Sequence, residues 1–389
     1  MRMSRWTGVA LVTGALVAGL ATQAPGASGA PRASLDADVR AVRAAGGDVR
    51  VLAETDTGHG VRRARAGGGT QPTPWNAQFR AASTTKTFTA TVVLQLAAER
   101  KLSLDDTVEK WLPGVVSGNG NDGSRITVRD LLRQTSGLFD YVDDPALAAA
   151  LGGDFEKVRH DATPARDWVA VAVRHRPLFT PDHRNPRWAY SNTNYLLAGM
   201  IAEKASGDDW RTLVEHRVIA PLGLRHTYVP GANPYLPGPH ARVTLRAPGG
   251  AVLDVTEHSL QHTADSGLVT TTADLNTFFR ALLGGKLLPP AQLAEMKRTV
   301  ERTGAREDLA EWPRGGYGLG IRWTPLTCGG GYWHHEGDGF GTYTRTGVTD
   351  DGRRAVAVSV TSAGDTPDRV RLNRATRKLV DDALCDAAN

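Results

Sequence analysis

Ala355-Val356-Ala357-Val358-Ser359-Val360-Thr361 is the stretch that decides the architecture. In an extended chain Val356, Val358 and Val360 fall on one side, Ala355, Ala357 and Ser359 on the other, and neither side carries a charge. A strand that is neutral on both faces predicts cover on both, as in a sheet with helices packed against each side. Immediately upstream, residues 341–348 read as a second strand, joined to the first by the turn residues Asp350-Asp351-Gly352. Residues 317–323 predict a third. Downstream, Thr366 and Pro367 read as the cap and first position of a closing helix that runs to about residue 384.

The other end of the chain carries matching signals. Residues 35–45 predict a helix capped by Ser34, and Val49-Arg50-Val51-Leu52-Ala53 and Val61-Arg62-Arg63-Ala64 predict paired strands around Gly58 and Gly60. Apolar residues Phe88, Val92 and Leu96 recur at helical spacing after Ser83. From about 104 to 260, helical stretches (128–132, 165–173, 194–205, 210–218) alternate with loops rich in proline and glycine. A further helix is expected from Thr272 to 283, with Leu275, Phe278, Phe279 and Leu282 on its buried side. This order predicts an α/β (α+β) fold: one antiparallel sheet built from both chain ends and flanked by helices, with a mainly helical insertion over about 104–260. No internal repeat or long linker calls for a second domain, so residues 31–389 read as one.

Arg2 and Arg5 precede the apolar run Val9-Ala10-Leu11-Val12, which continues through Leu16 and Val17 to Leu20 and gives way to small residues ending near Ala27 or Ala30. That is the layout of a secretory signal peptide over residues 1–30. Thr13 and Gly14 interrupt the run, and it is shorter than the roughly 20 residues a bilayer span needs. The expected mature protein is secreted, with no membrane segment, and monomeric. With 41% hydrophobic and 22% charged residues, the chain can bury a large core. Its formal charge of +5 falls to +3 without residues 1–30, which hold two arginines and no acid, a balance that argues against a nucleic-acid partner. Cys328 and Cys385 are the only cysteines. In an oxidising compartment such a pair reads as a disulfide; the alternative is two buried thiols.

Three short motifs carry chemistry. Ser83-Thr84-Thr85-Lys86 sets a hydroxyl and an ammonium three residues apart on one helix face, at a helix N-terminus whose free N–H groups suit a developing oxyanion. Tyr190-Ser191-Asn192 offers a phenol and a carboxamide, and a nearby lysine would favour the phenolate, which could take a proton from Ser83. His335-Glu336-Gly337 is the least specific of the three. His334-His335-Glu336 suggests a metal site at first sight, but adjacent histidines on a strand point to opposite faces, so no metal is expected.

In this order and spacing the three motifs resemble the class C β-lactamase and serine DD-peptidase superfamily. The likeness extends to Ile126-Thr127-Val128-Arg129-Asp130-Leu131-Leu132, Thr135-Ser136-Gly137-Leu138 and Tyr317-Gly318-Leu319-Gly320. The pattern is most similar to the soluble, secreted D-alanyl-D-alanine carboxypeptidase/transpeptidases, whose third motif also begins with histidine. The resemblance implies an acyl-enzyme at Ser83, proton transfer by Lys86 and Tyr190, and a substrate carbonyl held by Asn192. His335 would stand on the opposite wall, and the backbone N–H groups of Ser83 and Asp338, beyond Gly337, would form an oxyanion hole. It also implies a Cys328–Cys385 bridge, no cofactor, and a D-alanyl-D-alanine carboxypeptidase-like activity on a peptide or small-molecule substrate such as a peptidoglycan stem peptide or a β-lactam, with a β-lactamase, an esterase, a D-aminopeptidase or a non-catalytic binder of cell-wall peptides or penicillin as the alternatives.

The departures bear on the substrate. In those peptidases the third motif continues with small hydroxyl residues which, with an arginine resembling Arg322, hold a terminal carboxylate; here Glu336 and Asp338 stand there, and His262 replaces a pocket tryptophan. Two like charges about 4 Å apart repel by roughly 4 kcal/mol at an effective dielectric of about 20, so Glu336 and Asp338 are expected to expel a carboxylate unless Arg322 and Arg345 neutralise them or Glu336 points away.

Overall fold

A computed structural model describes residues 34–386 except 59, 153–154, 248, 302–314 and 366; the expected signal peptide lies outside the described residues. The unit that begins at Ala33 carries the sheet and the helices around it.

Helix α1, Leu35–Gly46, starts where Ser34 accepts the Ala37 N–H, and it buries Val39 and Val42. Strand β1, Val49–Asp56, then pairs antiparallel with β2, Val61–Ala66, on one edge. Its other edge pairs with β9, Ala355–Gly364, Val51 facing Val360 and Ala53 facing Val358. The two chain ends therefore share one sheet, as expected. The same sheet takes in β3 (Val300–Glu301), β4 (Gly316–Tyr317), β5 (Arg322–Pro325), β6 (Gly331–His334), β7 (Gly337–Asp338) and β8 (Thr342–Thr349); its main path runs β2-β1-β9-β8-β6-β5-β4-β3, and β7 pairs with β8 off that path. Val356, Val358 and Val360 of β9 pack into one apolar cluster with Val39, Val42, Leu372 and Leu379, while Ala355 and Ala357 belong to another with Phe278 and Phe279. The neutral strand is covered on both faces.

Helix α2, Thr85–Ala98, is the centre of the larger cluster: Phe88, Val92, Val93, Leu94 and Leu96 are wholly buried, and Phe88 stacks on Phe278 at 3.6 Å between ring centroids. The helix is buried on nearly every side, its threonines and Lys86 included, which places it inside the domain. It packs against α4, Thr193–Ser206. The shorter α3, Val128–Arg133, closes with Gln134 in the left-handed region at φ +65°.

Three expectations shift. The predicted strand over 317–323 divides into β4 and β5, because the Gly318 N–H bonds to the Ile321 carbonyl and Gly320 (φ +72°) turns the chain against α2, where a Cβ would stand 2.5 Å from that of Ala90. The middle region holds the expected helices, but also hairpins at Ser117–Gly118/Asn121–Asp122 and Thr244–Arg246/Val252–Asp254, too short to show a period; Thr244–Arg246 runs parallel to the end of β9. The last helix, Arg369–Cys385, is capped by Asp368 on the Arg371 N–H, so Pro367 precedes the cap; Thr366 lies outside the described residues.

Cys328 and Cys385 form a disulfide that ties the loop after β5 to the end of the last helix, with Cα atoms 5.8 Å apart. A bridge closing 57 residues stabilises by up to about 4 kcal/mol through loss of unfolded-state entropy. Cys385→Ser should therefore lower the denaturation midpoint markedly, measured in urea; an unchanged midpoint would show the bridge to be energetically idle. Among the described residues no helix is long and apolar enough to cross a membrane.

Candidate active site

The strand Phe79–Arg80 leads through Ala81 into a tight turn, Ala82–Thr84, before α2 begins. Ala82 has φ +47°, a left-handed conformation costly for a residue with a Cβ, and it immediately precedes Ser83. Gly337 on β7 packs over this turn so closely that a Cβ there would lie 2.0 Å from the Ala81 carbonyl. Only glycine lets the two backbones meet.

Lys86, in the first turn of α2, is fully buried, and its three N–H bonds are all used: Ser83 Oγ at 3.0 Å, Asn192 Oδ1 at 2.6 Å and the Asp265 carbonyl at 2.9 Å. Burial pushes its pKa down to about 8, against the opposing pull of Asp265 and Asp140. Tyr190 shares a hydrogen bond with Ser83, and its ring lies 5.1 Å from Lys86 Nζ. Burial, reinforced by Tyr317, raises the Tyr190 pKa well above 10 despite that hydrogen bond and the Arg322 charge. The phenolate expected from a lysine neighbour is thus not the favoured state: desolvation outweighs the charge, leaving a phenol beside an amine that loses its proton easily.

Asn192 is oriented by Asp140. Its backbone N–H and its Nδ2 both donate to that carboxylate, at 3.1 Å and 3.0 to 3.2 Å, which turns its carbonyl oxygen onto Lys86. Both ends of the carboxamide are therefore engaged within the protein, its oxygen with Lys86 and its nitrogen with Asp140. Asp140 is itself buried, and burial and Asp143 raise its pKa to about 7 against the lowering effects of Lys86 and Asn192. Gln134 sets the Tyr190 loop: its side-chain oxygen accepts the Ser191 N–H at 3.0 Å and Asn194 Nδ2 at 2.5 Å. Asp265 accepts the Tyr141 hydroxyl at 3.1 Å. Gln134, Asp140 and Asp265 were not among the sequence candidates; the sole sequence signal was the proximity of the first two to the Thr135-Ser136-Gly137-Leu138 stretch.

His335 is fully buried, and burial lowers its pKa to about 3, so the ring is neutral. Nδ1 lies 2.7 Å from the Glu336 carbonyl, which can only accept, so Nδ1 carries the proton and Nε2 accepts from the Tyr317 hydroxyl at 3.0 Å. Both nitrogens are occupied, and the ring braces the strand. β6 and β7 share one register against β8, Trp333 opposite Val348 and Gly337 opposite Thr344, and between them Thr346 Oγ1 takes both the N–H and the carbonyl of His335.

The acids of the third motif are both paired. Glu336 Oε1 lies 2.8 Å from Arg322 Nη1; burial opposes ionisation, but Arg322 and then His334 hold the Glu336 carboxyl well below its ordinary range. Asp338 accepts from Arg345 at 2.6 Å and from Arg369 at 2.9 Å. The expected repulsion of a substrate carboxylate therefore does not arise from bare charges. His262 uses Nδ1 on the Ser259 carbonyl at 2.9 Å, three residues before Asp265.

A hydroxyl in contact with a buried amine and a phenol, at the mouth of a helix, suits acyl transfer. The beta-lactamase family profile matches residues 35–381, and the chain belongs to that family, as a serine hydrolase of the β-lactamase and penicillin-binding superfamily with its mixed sheet-and-helix fold. A D-stereospecific amidohydrolase from Streptomyces sp. superposes with a TM-score of 0.81 at 39% identity, over 92% of this chain and 100% of that one. D-amino acid amidase from Ochrobactrum anthropi SV3, complexed with L-phenylalanine amide, shares the fold (TM-score 0.74, 24% identity, 90% and 96% covered). Penicillin-binding protein 4* of Bacillus subtilis (strain 168) is 30% identical over 159 residues, 41% of this chain; the match spans only about a third, 32%, of that relative's length.

Proposed function

We propose that this protein is a secreted D-stereospecific amidohydrolase that passes through an ester of Ser83. The carrying observation is the contact set at Ser83 Oγ, which meets Lys86 Nζ at 3.0 Å and shares a hydrogen bond with Tyr190. Ser83 attacks the acyl carbonyl and gives its proton to Lys86, neutral in roughly a tenth of molecules at pH 7 for a pKa near 8. The N–H groups of Ser83 and Asp338 receive the oxyanion, Tyr190 hands a proton to the departing amine, and water then cleaves the ester by the same route in reverse. Asn192 holds Lys86 in place; His335 and Gly337 hold the strand that carries Asp338.

The substrate class is supported by the likeness to the Streptomyces amidohydrolase along its whole length. A D-alanyl-D-alanine carboxypeptidase must accept a free carboxylate, and Arg322 is already paired with Glu336. Secretion is supported by the residue 1–30 pattern and by the disulfide. The test is ammonia release from D- and L-phenylalanine amide by the purified chain. The D-form should be favoured by about 100-fold or more in kcat/KM, the penalty for a carbonyl misplaced by about 1 Å. Preference for the L-amide, or release of D-alanine from acetyl-D-Ala-D-Ala with no amide turnover, would overturn the assignment.

A further inference from the structure

The guanidinium of Arg322 lies one ring away from the nucleophile. Tyr190, which touches Ser83, has its ring 5.7 Å from the Arg322 carbon; Tyr317 and Trp188 complete a three-sided aromatic wall at 5.4 and 5.9 Å. Arginine with aromatic walls and a planar fork of donors is suited to a carboxylate. Its side chain is 5% exposed, and the carboxylate it holds belongs to the chain itself, Glu336, 14% exposed and 2.8 Å away.

The backbone explains how Glu336 reaches it. In the sheet His334 stands opposite Arg322, and Glu336 follows two residues later on the same side, just past the end of β6. There the ladder to β8 is interrupted and Thr346 Oγ1 substitutes for it, so the segment is fixed without a regular pairing. The other acid of the motif, Asp338, is drawn toward Arg345 and Arg369 and leaves Arg322 to Glu336.

We propose that Glu336 permanently fills a carboxylate-binding slot at Arg322 and thereby restricts the enzyme to substrates without a free carboxylate at the leaving-group end. This deepens the amidohydrolase reading and rests on it. Exclusion works by occupancy: the Arg322–Glu336 pair is neutral overall, so an incoming carboxylate meets no net repulsion but finds the guanidinium already taken. Glu336 is a specificity determinant that acts through Arg322.

The experiment compares kcat/KM for D-phenylalanyl-D-alanine and its C-terminal carboxamide in the parent and in Glu336→Gln, with D-phenylalanine amide as a control that tests the amidohydrolase reading by itself. The parent should favour the carboxamide. Glu336→Gln should shift the acid-to-amide ratio by at least about 10-fold toward the acid, chiefly through KM, as the Arg322 guanidinium loses its charged partner and a substrate carboxylate can replace it. A ratio unchanged in the variant, with D-phenylalanine amide still hydrolysed, overturns the slot; loss of the control in the parent overturns the function instead. Because an unpaired buried arginine destabilises, Glu336→Ala supplies a second readout: sodium acetate should raise its melting temperature saturably at millimolar concentration, and sodium chloride at equal ionic strength should not. Equal responses to the two salts, or an equal acetate response in the parent, contradict the proposal.

Discussion

Ser83→Ala should lower amide hydrolysis by on the order of 10⁴ to 10⁶-fold and abolish acyl-enzyme formation, because among the described residues no other hydroxyl bonds to Lys86 Nζ. Its effect on folding should be small. Ser83 is not a helix cap: the turn Ala82–Thr84 and α2 are preceded by Ala81 and Thr84, and neither makes a side-chain cap bond. Lys86 keeps Asn192 and the Asp265 carbonyl when the hydroxyl is gone, so the stability change should stay under about 1 kcal/mol. The check is intact mass after incubation with an ester substrate, beside a thermal melt. A variant that still accumulates an acyl adduct would place the nucleophile elsewhere.

Tyr190→Phe should cost roughly two to four orders of magnitude in kcat/KM, the usual contribution of a positioned proton donor or acceptor. Its pH dependence is the more telling readout. With Lys86 at about 8 and Tyr190 far above 10, the group that must be neutral to accept the Ser83 proton is Lys86, so kcat/KM should rise with pH and level off above about 8. The sign follows from burial, which destabilises the ammonium. Phenylalanine removes the donor and leaves that limb in place. If the limb disappears in Tyr190→Phe while the parent shows it, Tyr190 is the proton acceptor and the roles are reversed.

Much of the site is legible along the chain. A Ser-x-x-Lys at the start of an apolar helix puts the two groups on one face by helical geometry alone, and the structure sets them 3.0 Å apart. Tyr190 and Asn192 were legible as a phenol and a carboxamide two residues apart, and both meet Lys86 or Ser83. Their states were not legible. Whether Tyr190 is a phenolate depends on how much water surrounds it, and the Asn192 amide turns on a bond to Asp140, 52 residues away.

By itself the sequence determined what depends on neighbours along the chain. The two-sided neutral strand at 355–361 required helices on both faces, and Ser34 began the first helix. Only the tertiary structure decided which charges are spent inside the protein. Glu336 and Asp338 read either as acids that expel a substrate carboxylate or as acids neutralised by Arg322 and Arg345, and the fold selects the second: Glu336 pairs with Arg322, and Asp338 with Arg345 and, beyond what was read, Arg369. His335 read as a group on the site wall, yet both its nitrogens are engaged, Nε2 with the Tyr317 hydroxyl and Nδ1 with the Glu336 carbonyl. The physical reason is the same in each case. Burial makes an unpaired charge or donor costly, so its partner is whichever group the fold brings within reach, and periodicity along the chain carries no record of that distance.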